Sequence, residues 1–253
     1  MLNRSNIQVL ITRPEKSGRA LAQQLKSIGI KSWCQPFFDY QTLASKTTIQ
    51  KLIEQYPHAT LIFVSVAAVE FAHRTFSLSY WQQKTIIAVG DATKAALNRF
   101  GINAISPESH TSEGLLTLDE LDKKNVNGQN VIIIRGDGGR EHLTQELGMR
   151  GANVHYLESY KKIWLALTQD PVEQWKNQQI NCIVITSNAL LESIIHLINN
   201  SDSDWKNSCL WIVASVRIAE RAKQLGLLNI VNANGANDQA ILSAINLHGK
   251  NND

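Results

Sequence analysis

Cysteine is scarce. The 253 residues hold three, Cys34, Cys182 and Cys209, an odd number in scattered apolar contexts without CxxC spacing. That argues against a disulfide framework or a thiolate metal site and predicts buried thiols. Long apolar runs are also missing. No segment approaches the roughly 20 residues of a membrane helix, and the opening MLNRSNIQVLITRP holds no stretch long enough for a secretory signal. The expectation is a soluble cytoplasmic protein that does not contact membrane. Basic runs are absent as well, because 25 Lys and Arg are interspersed with 22 Asp and Glu. The formal charge of +3 is compatible with an anionic ligand and gives no support for nucleic acid. The seven histidines show no HExxH or other ligand spacing, so no metal is expected. GxGxxG, the GxxxxGK phosphate loop and the GxSxG elbow are all missing, which removes the standard dinucleotide, P-loop and serine-hydrolase readings.

What is present is a chain that repeats itself in interleaved order. VLITRPEKSGRALAQQLKSIG from Val9 returns as VIIIRGDGGREHLTQELGMRG from Val131, and the strand leading to Ser65 returns in the one leading to Ser187. A third pair joins TIIAVGDATKAALNRFGINAI to LWIVASVRIAERAKQLGLLNI, ending at Ile105 and Ile230. Two similar lobes of roughly 120 residues follow, each large enough for its own core. Because one lobe is completed by segments on both sides of the other, one is inserted into the other and the chain crosses between them twice. A cleft between such lobes is the expected place for a site.

The runs VLIT, LIFVS, TIIAV, VIIIR, CIVIT and LWIVA are short, continuous and rich in Ile and Val, and helix-like sequence follows each. This is the pattern of parallel strands covered on both faces. The predicted fold is α/β, with two doubly wound parallel-sheet lobes of about five strands each. The inserted lobe is placed at 41–158 and the discontinuous one at 1–36 plus 165–253, with a two-stranded connection at 37–40 and 159–164. INAIS after Gly101 and LLNIV after Gly226 are read as further strands, each followed by a polar loop and a helix start.

Several residues stand where a strand opens into a loop. Gly136, Gly138 and Gly139 in RGDGGR can bring backbone donors to an anion, or serve turn geometry alone. Arg135 and Arg140 flank them, and Arg13 takes the place of Arg135 in the other unit. A guanidinium fits a carboxylate in bidentate fashion, although each of these can also be a structural or solvated residue. Thr12, Ser65, Thr186 and Ser187 can cap helices or meet a ligand, and Thr93 lies in a first helical turn. Asp39, Glu113, Asp137 and Glu158 are available as acid or base groups, with nothing in the sequence to pair them.

Taken in order, the chain resembles the uroporphyrinogen-III synthase family over nearly its whole length. The likeness runs through TRP at Thr12 to Pro14, FVSVAAV at Phe63 to Val69, AVGDATKAAL at Ala88 to Leu97, SEGLL at Ser112 to Leu116 and IRGDGGREHL at Ile134 to Leu143. It continues through the Tyr160 of LESYKK, ITSNAL at Ile185 to Leu190 and VASVRIAERA at Val213 to Ala222. The resemblance implies two α/β lobes on a two-stranded connection. It implies an enzyme, a lyase of porphyrin biosynthesis without cofactor, that takes hydroxymethylbilane through an azafulvene and a spiro-pyrrolenine, inverts ring D and closes uroporphyrinogen III.

Spontaneous closure gives the uninverted isomer, so the implied task of such a protein is to favour one geometry through many polar contacts, with proton transfer secondary. Carried onto this sequence, the catalytic position is Tyr160, whose hydroxyl can assist loss of water. The substrate-binding set is Arg13, Ser65, Gly90, Thr93, Arg135, Gly136, Arg140, Ser187, Ser215 and Arg217. Backbone N–H groups near Ser65, Gly90 and Ser187 are offered to propionates. The family's GxxT element departs here, with Ser215 at the glycine and Ile218 at the threonine. A monomer is expected, with at most a transient contact with hydroxymethylbilane synthase. The competing reading is a non-catalytic two-lobed regulator that binds a tetrapyrrole or small anion.

Overall fold

The computed structural model describes residues 6–81, 85–138, 141–167, 170–198 and 202–249. The chain forms two compact units, one of residues up to Asp39 together with those from Trp164 onward, the other Tyr40–Ile163. In chain order the elements are β1 (Gln8–Ile11), α1 (Glu15–Ser27), β2 (Lys31–Cys34), β3 (Phe38–Thr42), α2 (Lys46–Gln55), β4 (Thr60–Phe63), α3 (Val66–Thr75), β5 (Thr85–Ala88) and α4 (Asp91–Asn98). There follow α5 (Ser112–Leu115), α6 (Lys123–Val126), β6 (Asn130–Gly136), α7 (His142–Met149), β7 (Asn153–Trp164), α8 (Pro171–Asn177), β8 (Cys182–Ile185), α9 (Asn188–Leu197), α10 (Ser203–Ser208), β9 (Leu210–Val213), α11 (Val216–Gln224), β10 (Asn229–Asn232) and α12 (Asp238–Gly249).

The discontinuous unit carries a five-stranded sheet in the order β10-β9-β8-β1-β2, parallel throughout. Val9, Ile11, Val184 and Ile212 point to one side and meet Leu21 and Leu25 of α1 and Ile241 and Ile245 of α12. Alternate residues, among them Leu10, Ile183 and Trp211, are also fully buried, so this sheet is covered on both faces. Each such side chain contributes about 1.5–3 kcal/mol. The buried cysteines belong to this core: burial pushes the Cys209 thiol up to about 12 and Cys182 higher still. Cys34 is half-buried, also with its thiol raised by burial.

The second sheet runs β3-β7-β6-β4-β5, with β7, β6, β4 and β5 parallel. Leu61, Phe63, Ile132 and Ile134 pack on α3 and α4, while Ile62, Ile87, Val131 and Ile133 pack on Leu143 and Leu147 of α7. Helices on both faces make it doubly wound too. β3 is the exception, since Leu43 N–H bonds Ser159 O and Leu165 N–H bonds Phe37 O, a register that runs antiparallel to β7. Both segments that pass between the units are therefore strands, and β7 is 12 residues long, taking in 159–164. The strand expected at INAIS is reduced to one parallel bridge, Ile105 to Ile87. Pro107 follows, and without an N–H it cannot extend the ladder.

The repeat is visible in the caps. Helices α1, α4, α7 and α11 all end with the same bond, Ile30 to Leu25 O, Ile102 to Leu97 O, Ala152 to Leu147 O and Leu227 to Ala222 O. Each such bond follows a glycine, and Gly29 and Gly151, at φ +78° and +88°, need the left-handed region that only glycine enters without strain.

Candidate functional site

In a doubly wound sheet, loops from neighbouring strands that feed helices on opposite faces leave a crevice at their carboxyl ends. In the Tyr40–Ile163 unit that point lies between β4 and β6. The sequence places VS at 64–65 and RGDG at 135–138 there. The structure has a cavity of about 360 Å³ at this point, lined by Tyr40, Ser65, Arg135, Gly136, Tyr156, Tyr160 and Lys162 among others.

Tyr160 reaches the cavity through a break in strand regularity. β7 pairs Arg135 with Glu158 and Gly136 with Tyr160, so Ser159 is an extra residue, a β-bulge. Ser159 is fully buried, and its hydroxyl donates towards Arg135 O at 3.2 Å and Ala68 O at 3.4 Å. Simple alternation would send Tyr160 to the same face as Glu158; the bulge turns it to the α3 face instead, above Gly136. A Cβ on Gly136 would stand 2.7 Å from Tyr160 Cε2 and Cζ, so only glycine permits this approach. The ring is held edge-on by Tyr40 at 4.9 Å between centroids and flanked by Phe71 at 5.5 Å.

The phenol lies 3.2 Å from Ser65 Oγ. Ser65 is the N-cap of α3 and accepts the Ala68 N–H at 3.0 Å, and its hydroxyl hydrogen can donate to the tyrosine oxygen when the phenol hydrogen is turned elsewhere. Burial pushes the Tyr160 phenol above its usual range, against the Ser65 hydrogen bond, which lowers it, and with help from the Asp137 charge. Tyr160 is thus a protonated donor with a chain of donors behind it that leads to a helix N-terminus.

Arg135 is buried and lies beside Glu141, at 3.3 Å, and Glu158, at 3.9 Å, with its guanidinium 4.3 Å above the Tyr156 ring. Tyr156 donates to Glu141 at 2.5 Å. That bond, followed by those from Arg135, holds the Glu141 carboxyl below the usual range. Asp137 lines the cavity, while Glu158 accepts the Gly138 N–H at 3.4 Å. Arg140 and Gly139 lie outside the described residues.

The remaining expected residues are elsewhere. Gly90 heads α4, and a Cβ there would meet His110 at 2.7 Å. Thr93 and Ile218 hold the third position of α4 and α11 and are 3% and 2% exposed, both turned inward. Ser187 and Ser215 are N-caps, accepting Leu190 N–H at 3.2 Å and Ile218 N–H at 3.4 Å, and Arg217 is exposed on α11. Thr12 donates to Val184 O at 2.8 Å. Arg13 is buried, ion-paired with Asp238 and bonded to the Ala236 carbonyl.

The family model described as uroporphyrinogen-III synthase HemD matches residues 19–243. The chain belongs to the uroporphyrinogen-III synthase family. It is 31% identical to the uroporphyrinogen-III synthase of Salmonella typhimurium and 29% identical to that of Escherichia coli K12, in each case over 94% of this chain and all of the relative. Among solved structures, a uroporphyrinogen III synthase of Thermus thermophilus aligns with a TM-score of 0.61 at 12% identity, over 95% of this chain and 98% of that one. The uroporphyrinogen-III synthetase of Helicobacter pylori aligns with a TM-score of 0.58 at 14% identity, over 98% of this chain and all of that one. At those identities the structures speak for the fold of the uroporphyrinogen-III synthase family alone. Among the described residues no helix is long and apolar enough to cross a membrane, and no cluster of three metal-binding side chains occurs.

Sequence reading missed Tyr40 and Lys162 of the cavity. Tyr40 had a signal only as part of a crossing segment. Lys162 stands two residues after Tyr160, a spacing that means a shared face once the strand beyond the bulge is known.

Proposed function

We propose that this chain cyclises hydroxymethylbilane to uroporphyrinogen III, with loss of water and inversion of ring D through a spiro-pyrrolenine. The observation that carries the site assignment is the Tyr160 phenol, kept protonated by burial, over Gly136 and in line with Ser65 and the N-terminus of α3. Such a phenol can donate to the departing hydroxyl oxygen. As charge develops on the phenolic oxygen, the Ser65 hydrogen and the helix end behind it stabilise that charge. Gly136 belongs to the proposed binding set by letting the ring stand where it does, and Arg135 by carrying positive charge at the cavity wall.

In the other unit, the corresponding crevice lies between β1 and β8. Ser187 there, and Ser215 on the neighbouring strand end, are proposed to present helix N-termini to carboxylate arms. Arg13 is assigned a structural role instead, because its guanidinium is engaged with Asp238 and Ala236. The same reading has the enzyme act as a cytoplasmic monomer that meets hydroxymethylbilane synthase transiently; its chemistry requires neither.

The test is to generate hydroxymethylbilane in situ with the purified protein present, then oxidise and separate the uroporphyrin isomers. Isomer III formed at a rate proportional to protein is the expected result. The isomer I yield and disappearance rate of a protein-free control would reject the activity, and bilane binding without acceleration would put the regulator reading in its place.

A further inference from the structure

Arg135 and Glu141 stand on either side of the glycine-containing segment that follows β6, and Tyr156 approaches them from β7. The fold brings two donors onto one carboxylate. Arg135 Nη1 donates to Glu141 Oε1 at 3.3 Å, and the Tyr156 phenol donates to Oε2 at 2.5 Å. Because the only hydrogen of that phenol goes to Glu141, the Thr144 hydroxyl donates to Tyr156 in turn. Arg135, Tyr156 and Thr144 all line the Tyr160 cavity. Each oxygen of the Glu141 carboxylate therefore meets a donor on the cavity wall, one of them charged, which is the arrangement of a carboxylate receptor.

The two acids beside Arg135 are held differently. Glu158 lies 3.9 Å from Nε and also accepts the Gly138 N–H at 3.4 Å, so the backbone anchors it. Among the described residues, the Glu141 carboxylate is held by the Arg135 and Tyr156 side chains alone. Its side chain is 53% exposed, whereas that of Arg135 is 8% exposed. The guanidinium is thus covered by a carboxylate that can turn into water by rotating its own side chain, with no strand or helix displaced. An exposed acid gains little from such a pair, so a competing anion can replace it. A buried guanidinium left bare is costly, so an anion must take the vacated place. The guanidinium lies 4.3 Å above the Tyr156 ring, which keeps the two donors together through the exchange.

We propose that Arg135 and Tyr156 form a carboxylate subsite of the Tyr160 cavity, filled by Glu141 in the free protein until an acetate or propionate arm of the tetrapyrrole displaces it. The identity of the ligand rests on the cyclase reading above. No covalent bond forms or breaks. An arm tethered to a molecule anchored elsewhere competes at a high effective concentration, so the subsite favours polycarboxylates over single acids.

The experiment compares wild type with Glu141→Gln and Glu141→Asp in the bilane assay. Removing the internal competitor predicts a KM about 3–5-fold lower in the Gln variant, with kcat changing less. The Asp variant keeps the charge but is one methylene shorter and loses its reach, so its KM should fall as well. A carboxylate that only organises Arg135 predicts the opposite sign, a KM that rises in both variants. One that only repels an anionic substrate predicts a wild-type KM in the Asp variant. Either result overturns the proposal, as does an unchanged KM in the Gln variant. Should the Gln variant not fold, Glu141→Ala carries the same comparison.

Fluorescence titration with uroporphyrin, an octacarboxylate, reads the subsite without turnover. The Gln variant should bind it more tightly than wild type by a similar factor, and Arg135→Gln more weakly. Equal affinities, or no binding by any of the three, overturn the subsite and leave the cyclase reading standing. If wild type makes no isomer III while the Gln variant still binds uroporphyrin more tightly, the cyclase reading alone fails.

Discussion

The two units share a framework and differ at one equivalent loop. After β1 the chain passes Thr12, Arg13 and Pro14 straight into α1, whose 13 residues end at Ser27. At the end of β6 it passes Ile134, Arg135 and Gly136, then turns at Gly138 with φ +68°, and farther on enters α7, which has 8 residues and ends at the equivalent Met149. The second helix begins later relative to its strand, and residues that precede it border the Tyr160 cavity. Pro14, the N-cap, leads directly into α1, whereas Gly136 of Gly-Asp-Gly lets an aromatic ring lie on the backbone. The arginines follow suit. Arg13 is sealed against the start of α12, while Arg135 forms part of a cavity wall. One loop therefore stabilises its unit, and its counterpart borders a cavity.

The largest effect that would sharpen this contrast is at the tyrosine. Tyr160→Phe keeps the ring and its packing but removes the donor, so kcat for isomer III should fall about 100-fold or more with the melting temperature nearly unchanged. An unaltered kcat would remove Tyr160 from the chemistry. On the pH axis, a raised Tyr160 pKa keeps the donor protonated until pH passes its elevated value, so its kcat limb should lie above about 10, the ordinary tyrosine value.

Next in size is the pair of arginines. Arg13→Ala leaves Asp238 with only the Gln24 amide and the Ala236 carbonyl without the guanidinium, and should cost about 2–3 kcal/mol of stability, read by urea unfolding. Arg135→Ala should affect KM more than the unfolding midpoint. Equal stability losses with no KM change would abolish the distinction between the loops.

The serine caps give a smaller and more discriminating comparison. Ser65→Ala and Ser187→Ala each remove an N-cap worth about 1 kcal/mol. Only Ser65 also bonds the phenol, so only its variant should lower kcat. The smallest effect concerns Glu141, whose folded-state pKa is depressed. Its stabilising contribution is present above the unfolded value near 4.3 and is lost as pH falls through the lower folded value. Melting curves of Glu141→Gln and wild type should therefore differ at pH 6 and converge in acid.

Much of this was legible in the chain. Alternation of Ile- and Val-rich runs with amphipathic stretches gave the strands and helices, because burial on both sheet faces demands continuous apolar strands. Glycines after α1, α4, α7 and α11, and serines before α3 and α9, marked the helix ends, because caps satisfy local backbone groups and need only neighbouring residues. Ile105 was over-read as a strand because its apolar context outweighed Pro107. Local sequence was enough to suggest Arg13 and Arg135 as equals and Ser65 and Gly136 as candidates, whereas Tyr160 was singled out only by the family resemblance.

What the sequence determined by itself was therefore the repeated α/β framework, its caps and the motifs that align it with a family, all properties set by residues close along the chain. The tertiary structure decided which of two equivalent arginines is buried against Asp238, where α7 begins, and which face Tyr160 and Lys162 present. The physical reason is the range of the deciding contacts. Arg13 meets a residue 225 positions away, and Tyr160 bonds Ser65 across 95. A single extra residue at Ser159, stabilised only once β6 and α3 are beside it, reverses the strand parity that sequence periodicity would otherwise assign.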